Sequence, residues 1–153
     1  MSHRLDHNAA SPAGMKALGY LYGHVAQSGL PPRLLDLVYL RVSQLNGCAY
    51  CIDMHSRDLL AKQEPVEKLV LVQAWREGGG FFDDQERAAL AWAETVTLVA
   101  DTGVPDEEYA AVSKIFEPKA LADLTLAIGM MNTYNRMAIS FRATPAAVAQ
   151  LAT

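Results

Sequence analysis

Prolines punctuate this chain at positions 12, 32, 65, 105, 118 and 145, and behind most of them apolar residues recur at three- and four-residue spacing. Proline fixes φ and lacks an N–H, so it suits the first turn of a helix and interrupts any later one. Ser11-Pro12 opens a helix with Met15, Leu18, Leu21, Tyr22 and Val25 on one face, and Ser28-Gly29 closes it. Pro32 opens a second, whose stripe is Leu34, Leu35, Val38, Val42 and Leu45 and whose stop is Asn46-Gly47. Leu37 and Leu40 widen that apolar surface, which predicts a central position for this helix. A third helix starts at or just before Cys48 and runs to about Ala61, and a fourth opens at Pro65 and ends at Gly78-Gly79-Gly80. Asp83 with Glu86 makes a capping pair for the fifth, which runs to Asp101-Thr102-Gly103. Pro105 opens a short sixth helix with acidic residues in its first turn. Pro118 opens the longest, with Leu121, Leu124, Ile128, Met131, Asn135, Ala138 and Arg142 on one face.

No segment joins β-branched enrichment to strict alternation, so the expectation is an all-α fold of about seven helices with essentially no sheet. A chain of 153 residues is long enough for one domain that buries roughly 68–70% of its unfolded surface, and too short for two substantial ones. Residues 1–153 are therefore expected to form a single helical domain, with 1–10 as an extended arm and 144–153 as a short tail. The formal net charge of −4 offers no broad basic face for nucleic acid. No apolar run reaches the ~18 residues of a membrane span, and the N-terminus lacks the apolar core of a secretory signal. A cytoplasmic location is expected, where an isolated disulfide is transient rather than structural. Apolar helix faces in so small a domain also predict a homo-oligomer.

The chemistry concentrates in Cys48-Ala49-Tyr50-Cys51-Ile52-Asp53-Met54-His55, which holds the only two cysteines. Helical spacing puts both sulfurs and the imidazole on one wall. It brings the cysteine Cα atoms to about 5–5.5 Å, within disulfide reach. Cys48 stands at the helix start, where unpaired N–H groups and the dipole stabilise a thiolate, and Cys51 has His55 as its i+4 neighbour. A sulfenic acid on either sulfur could be trapped by the other. Three other readings compete. A structural zinc site needs a fourth ligand, and His3, His7 and His24 are far off in sequence. A thioredoxin-type motif needs a βαβ context that the helical pattern denies. The plainest is two buried cysteines of no chemical consequence, which the histidine on the same face disfavours.

Asp36 lies in the apolar second helix, and a sharp turn at Asn46-Gly47 would bring the cysteine helix back with His55 nearest to it. A relay from Asp36 through His55 to Cys51 is one reading, and a surface aspartate is the other. Ser43 shares the Asp36 face. Asn132 and Asn135 interrupt the stripe of the last helix, either to orient the cysteine helix, to line a pocket, or to bond a neighbouring backbone. Tyr50 points to solvent or to a subunit contact. Met130, Met131, Met137, Trp75 and Trp92 read as core.

The run from Leu37 to His55 resembles the core of the AhpD-like alkylhydroperoxidases, within the carboxymuconolactone decarboxylase superfamily. Ala89 to Glu94, Leu124 to Ile128 and Asn132 to Ile139 are similar to the family's later helices, so the resemblance covers nearly the whole chain. It implies an all-α, oligomeric thiol peroxidase that uses no metal, flavin or haem and reduces hydroperoxides through a dithiol–disulfide cycle. It implies that Cys51 attacks the peroxide and becomes a sulfenic acid, that Cys48 resolves it, that His55 shuttles the proton, and that Asp36 supplies the relay carboxylate. An external thiol reductant or reductase would then reopen the disulfide. Two departures stand out: Asp36 is one methylene shorter than the family's glutamate, and Tyr50 occupies a position where the best-studied members carry a histidine. Decarboxylase members lack the cysteine pair. The alternative from another class is a redox-sensing or partner-binding helical protein that uses the same disulfide as a switch.

Overall fold

The computed structural model describes residues 3–151, and in it the prolines sit where helices begin. The helices are α1 (His7–Ala10), α2 (Pro12–Ala26), α3 (Pro32–Asn46), α4 (Ala49–Ala61), α5 (Val66–Leu71), α6 (Asp84–Thr97), α7 (Val99–Thr102), α8 (Asp106–Ser113), α9 (Pro118–Phe141) and α10 (Ala146–Gln150). Short 3-10 segments at Val72–Glu77 and Gly79–Phe81 join α5 to α6, and no strand occurs among the described residues. Pro12, Pro32 and Pro118 lie in the first turns of their helices, whereas Pro65, Pro105 and Pro145 are N-caps.

The seven expected segments are all helical, and the departures from expectation have local causes. The Asp6 carboxylate accepts from the N–H groups of Asn8 and Ala9 at 3.0 and 3.1 Å, so the expected extended arm over 1–10 instead contains the capped turn α1. The expected tail carries α10, because the Asp53 carboxylate accepts the Ala147 N–H at 3.0 Å. The fourth segment leaves α geometry at Val72 and kinks at Ala74. The Trp75 indole there donates to Glu94 Oε1 at 2.8 Å, and Glu94 also holds Arg41 at 2.7 Å and Arg76 at 2.5 Å. The fifth segment ends early and restarts as α7, closed by Gly103 in the left-handed region. The Asp83–Glu86 pair forms a full capping box.

The single compact domain is built around α3, which is buried along nearly its whole length and packs most extensively on α4, α6 and α9. One side of it feeds an apolar cluster in which Val38 and Val42 meet Val25, Leu124 and Ile128. The other feeds a second cluster, in which Leu37 and Leu40 meet Leu59, Val72, Trp75 and Leu90. Each such side chain contributes roughly 1.5–3 kcal/mol by leaving water. At the end of α3, Gly47 takes φ +69°, a conformation that costs a residue with a Cβ. Its N–H bonds Gln44 O at 3.2 Å and the Cys48 N–H bonds Ser43 O at 2.9 Å, the paired closure of a Schellman turn. That turn sends α4 back along α3 and fixes where the cysteines lie. No helix among the described residues is long and apolar enough to cross a membrane.

Candidate active site

Cys48 is the N-cap of α4 and Cys51 lies in its first turn, and both are buried free thiols. The two sulfurs share a hydrogen bond. That bond holds the Cys48 thiol down to about 7 against the opposing effect of burial, and the Cys51 and Tyr50 backbone N–H groups and the Asn135 amide add to it. The same bond and burial push Cys51 up, while Asn135 and Ser43 pull the other way. Cys48 therefore sheds its proton first, as expected of a sulfur at a helix N-terminus.

Asp36, on α3, is buried beside His55. Its Oδ1 is 3.6 Å from His55 Nδ1, and its Oδ2 accepts from the Lys62 ammonium at 2.6 Å. Burial works to raise the Asp36 pKa, but His55 and Lys62 together outweigh it and leave the carboxyl below its usual range. Asp58 Oδ2 approaches the same Nδ1 at 3.7 Å, and the Tyr39 ring covers the imidazole with centroids 5.1 Å apart. The imidazole is 1% exposed, and neither ring nitrogen has a hydrogen-bond partner among the described residues. Asp36 and His55 thus stand side by side, 3.6 Å apart, without a hydrogen bond between them. The link from His55 to Cys51 is not a hydrogen bond here, and the polar neighbours of the Cys51 sulfur are Cys48, Asn135 and Ser43.

Asn135 is fully buried; its amide donates to Ser43 Oγ at 3.0 Å, and its carbonyl accepts from Asn46 at 2.9 Å. Asn132 accepts from the same Asn46 amide at 3.0 Å and donates to Thr97 Oγ1 at 3.1 Å. These residues tie α9 to the end of α3, and Asn132 also donates to the Ile128 carbonyl at 3.0 Å, so a bond to neighbouring backbone is present as well. Three residues of this site escaped the sequence reading. Asn46 had been read only as part of a stop signal, and Lys62 and Asp58 sit on a helical face that looks merely solvated. Their signal was the i+3 and i+7 spacing from His55, too common on exposed helices to notice.

Cys51 lies in the lining of a cavity of about 590 Å³, with Tyr22, Tyr50, Met54, Asp58 and Tyr134, within the size range of small-molecule sites. Three donors from Asp36, His55 and Asp58 stand within 4.8 Å of one another and could hold a divalent cation. The Lys62 ammonium already on Asp36 makes a second positive charge there expensive.

Residues 12–95 match the model of the carboxymuconolactone decarboxylase family. The chain is 36% identical over 140 residues to the uncharacterized protein YdfG of Bacillus subtilis, which spans 92% of this chain and 95% of that protein. Among solved structures it is similar to ATU0492 of Agrobacterium tumefaciens, a protein of unknown function provisionally named the antioxidant defence protein AhpD. The TM-score is 0.89 at 37% identity, covering 94% of this chain and 98% of that one. An uncharacterized peroxidase-related protein with an alkylhydroperoxidase AhpD core, from Ralstonia eutropha, shares the fold. Its TM-score is 0.79 at 19% identity, over 90% of this chain and 73% of that one.

Proposed function

The chain belongs to the carboxymuconolactone decarboxylase family, in its AhpD-like branch, and from that premise we propose that it is a thiol-dependent peroxidase working through a Cys48–Cys51 dithiol cycle. The observation that carries this reading is a pair of buried free thiols at the start of one helix, Cys48 at its N-cap and Cys51 in its first turn against a ligand-sized cavity. Each biases the other, lowering Cys48 and raising Cys51, so one ionises first. The resulting monoanion is a nucleophile whose charge moves to Cys51 when Cys51 passes its proton to Cys48. Cys51 is the attacking sulfur in this reading because it lines the cavity that also holds Asp58, whereas Cys48 lines a different one.

The Cys51 thiolate attacks the terminal peroxide oxygen, the O–O bond breaks, and the alcohol leaves as it takes up a proton. Asp58, half exposed at the cavity, and His55 behind it supply the route for that proton, with Asp36 and Lys62 fixing the carboxylate end. Cys48 then attacks the Cys51 sulfenic sulfur, the disulfide forms, and water leaves. An external thiol restores the pair, which places the cycle in a reducing compartment such as the cytoplasm.

The test is a count of thiols and of peroxide on purified variants. Cys51→Ser is expected to abolish peroxide consumption, and Cys48→Ser to retain one oxidation event per chain and no turnover. Both variants turning over like the parent would remove the enzyme reading.

A further inference from the structure

The two sulfurs, although hydrogen-bonded to each other, open onto different cavities. Cys51 lines the cavity that holds Tyr22, Met54 and Tyr134. Cys48 lines a second one, of about 530 Å³, with Arg4, Ile139, Arg142 and Val148. Tyr50, Ala138, Ala143 and Thr144 line both, so the two cavities adjoin one another. The α10 segment supplies the far wall of the second cavity through Pro145 and Val148, held there by the Asp53 carboxylate on the Ala147 N–H.

The second cavity is lined by two arginines that have no anionic partner among the described residues. Arg4 Nη1 donates to the Ser140 carbonyl at 3.1 Å, a neutral acceptor that leaves its charge uncompensated. Arg142 stands at the left-handed C-cap of α9. Neither arginine forms an ion pair among the described residues; Arg33, Arg41, Arg57 and Arg76 each do, while Arg87 and Arg136 bond backbone carbonyls or Asn132 away from this cavity. Two guanidinium-bearing residues that line one ligand-sized cavity with Cys48 match a molecule with a thiol at one end and carboxylate at the other.

We propose that the Arg4–Arg142 cavity is the docking site of a low-molecular-weight, carboxylate-bearing thiol that reopens the Cys48–Cys51 disulfide by attack at Cys48; this rests on the dithiol reading above. The incoming thiolate forms a bond to Cys48 Sγ as the Cys48–Cys51 bond breaks, and Cys51 leaves with the electron pair. The Asn135 amide and Ser43 hydroxyl beside Cys51 Sγ receive that charge until it is protonated. A second thiolate attacks the sulfur of the bound thiol, the external disulfide departs, and Cys48 is released as a thiolate. Two thiols are oxidised and one protein disulfide is reduced.

The full-length protein is first oxidised with one equivalent of an organic hydroperoxide, and in a parallel sample with diamide. Re-reduction rates, corrected for thiolate fraction, are then compared for 3-mercaptopropionate, neutral 2-mercaptoethanol and cationic cysteamine. A contact with each arginine at solvent-like dielectric predicts a preference of about tenfold or more for the carboxylate thiol, shrinking at high salt. The preference should fall to within about twofold in Arg4→Gln/Arg142→Gln, with the single variants between, if each cation contributes separately. Mass spectrometry should place the mixed disulfide on Cys48. Equal rates for the three thiols in the parent protein, a salt-independent preference, or a mixed disulfide on Cys51 would each overturn the proposal. Should only diamide form the disulfide, the peroxidase reading fails while the thiol comparison still judges the cavity.

Discussion

At the scale of single residues, the decisive quantity is the proton shared by Cys48 and Cys51. The Cys48 thiol is held to about 7 from an ordinary value of 9.0 by the Cys51 bond and the helix-start N–H groups. The rate of the first peroxide step, read by stopped flow, should therefore rise roughly tenfold per pH unit below about 7 and level off above it, following the monoanion fraction. The stability consequence has the same origin. A lowered acid pKa stabilises the fold fully above the unfolded thiol's value and ceases to do so as pH falls through the folded value, so reduced protein should gain stability between about 7 and 9.0. A flat profile through that window would mean that the sulfurs do not share a proton. The sequence alone pointed to Cys48 as the thiolate by its helix position and to Cys51 as the attacker by resemblance. Shared titration lets both hold, since the charge rests first on Cys48 while the cavity that holds Asp58 adjoins Cys51.

At the scale of elements, most of the architecture was legible because proline and glycine act locally. Pro12, Pro32 and Pro118 announce their helices within a residue, and Gly47 announces the turn that aligns Asp36 with His55. What the sequence left hidden depends on partners remote in the chain. The kink at Ala74 accompanies an indole bond to Glu94, nineteen residues on, and α10 exists on the strength of a carboxylate 94 residues away. Asn46 reads as a stop signal until α9 supplies the two asparagines it bridges. The dependence of α10 on Asp53 is open to test. Asp53→Ala should release residues 146–150, raising their amide exchange to that of an unfolded tail and leaving the exchange of α3 unchanged. Protection of α10 that survives the substitution would show that Val148 packing alone holds it.

At the scale of the whole molecule, an apolar groove of about 730 Å³ runs between α2, α8 and α9, lined by Leu18, Leu21, Trp92, Tyr109, Leu121 and Leu126. A second copy of the chain is the occupant that the homo-oligomer reading assigns to such a face. Sedimentation should accordingly give a mass above the 16.7 kDa of one chain, and Leu126→Asp should lower it. A monomeric parent at micromolar concentration would sink this reading. The packing around His55 bears on heat tolerance. Its ring is sealed under Tyr39 with Nδ1 3.6 Å from the buried Asp36 carboxylate, which it helps hold ionised. His55→Leu leaves the buried Asp36 with Lys62 alone, so it should melt at a lower temperature than the parent as well as losing peroxide turnover. The ring proposed to carry the proton thus also braces α3 against α4, so proton route and heat tolerance would be lost together.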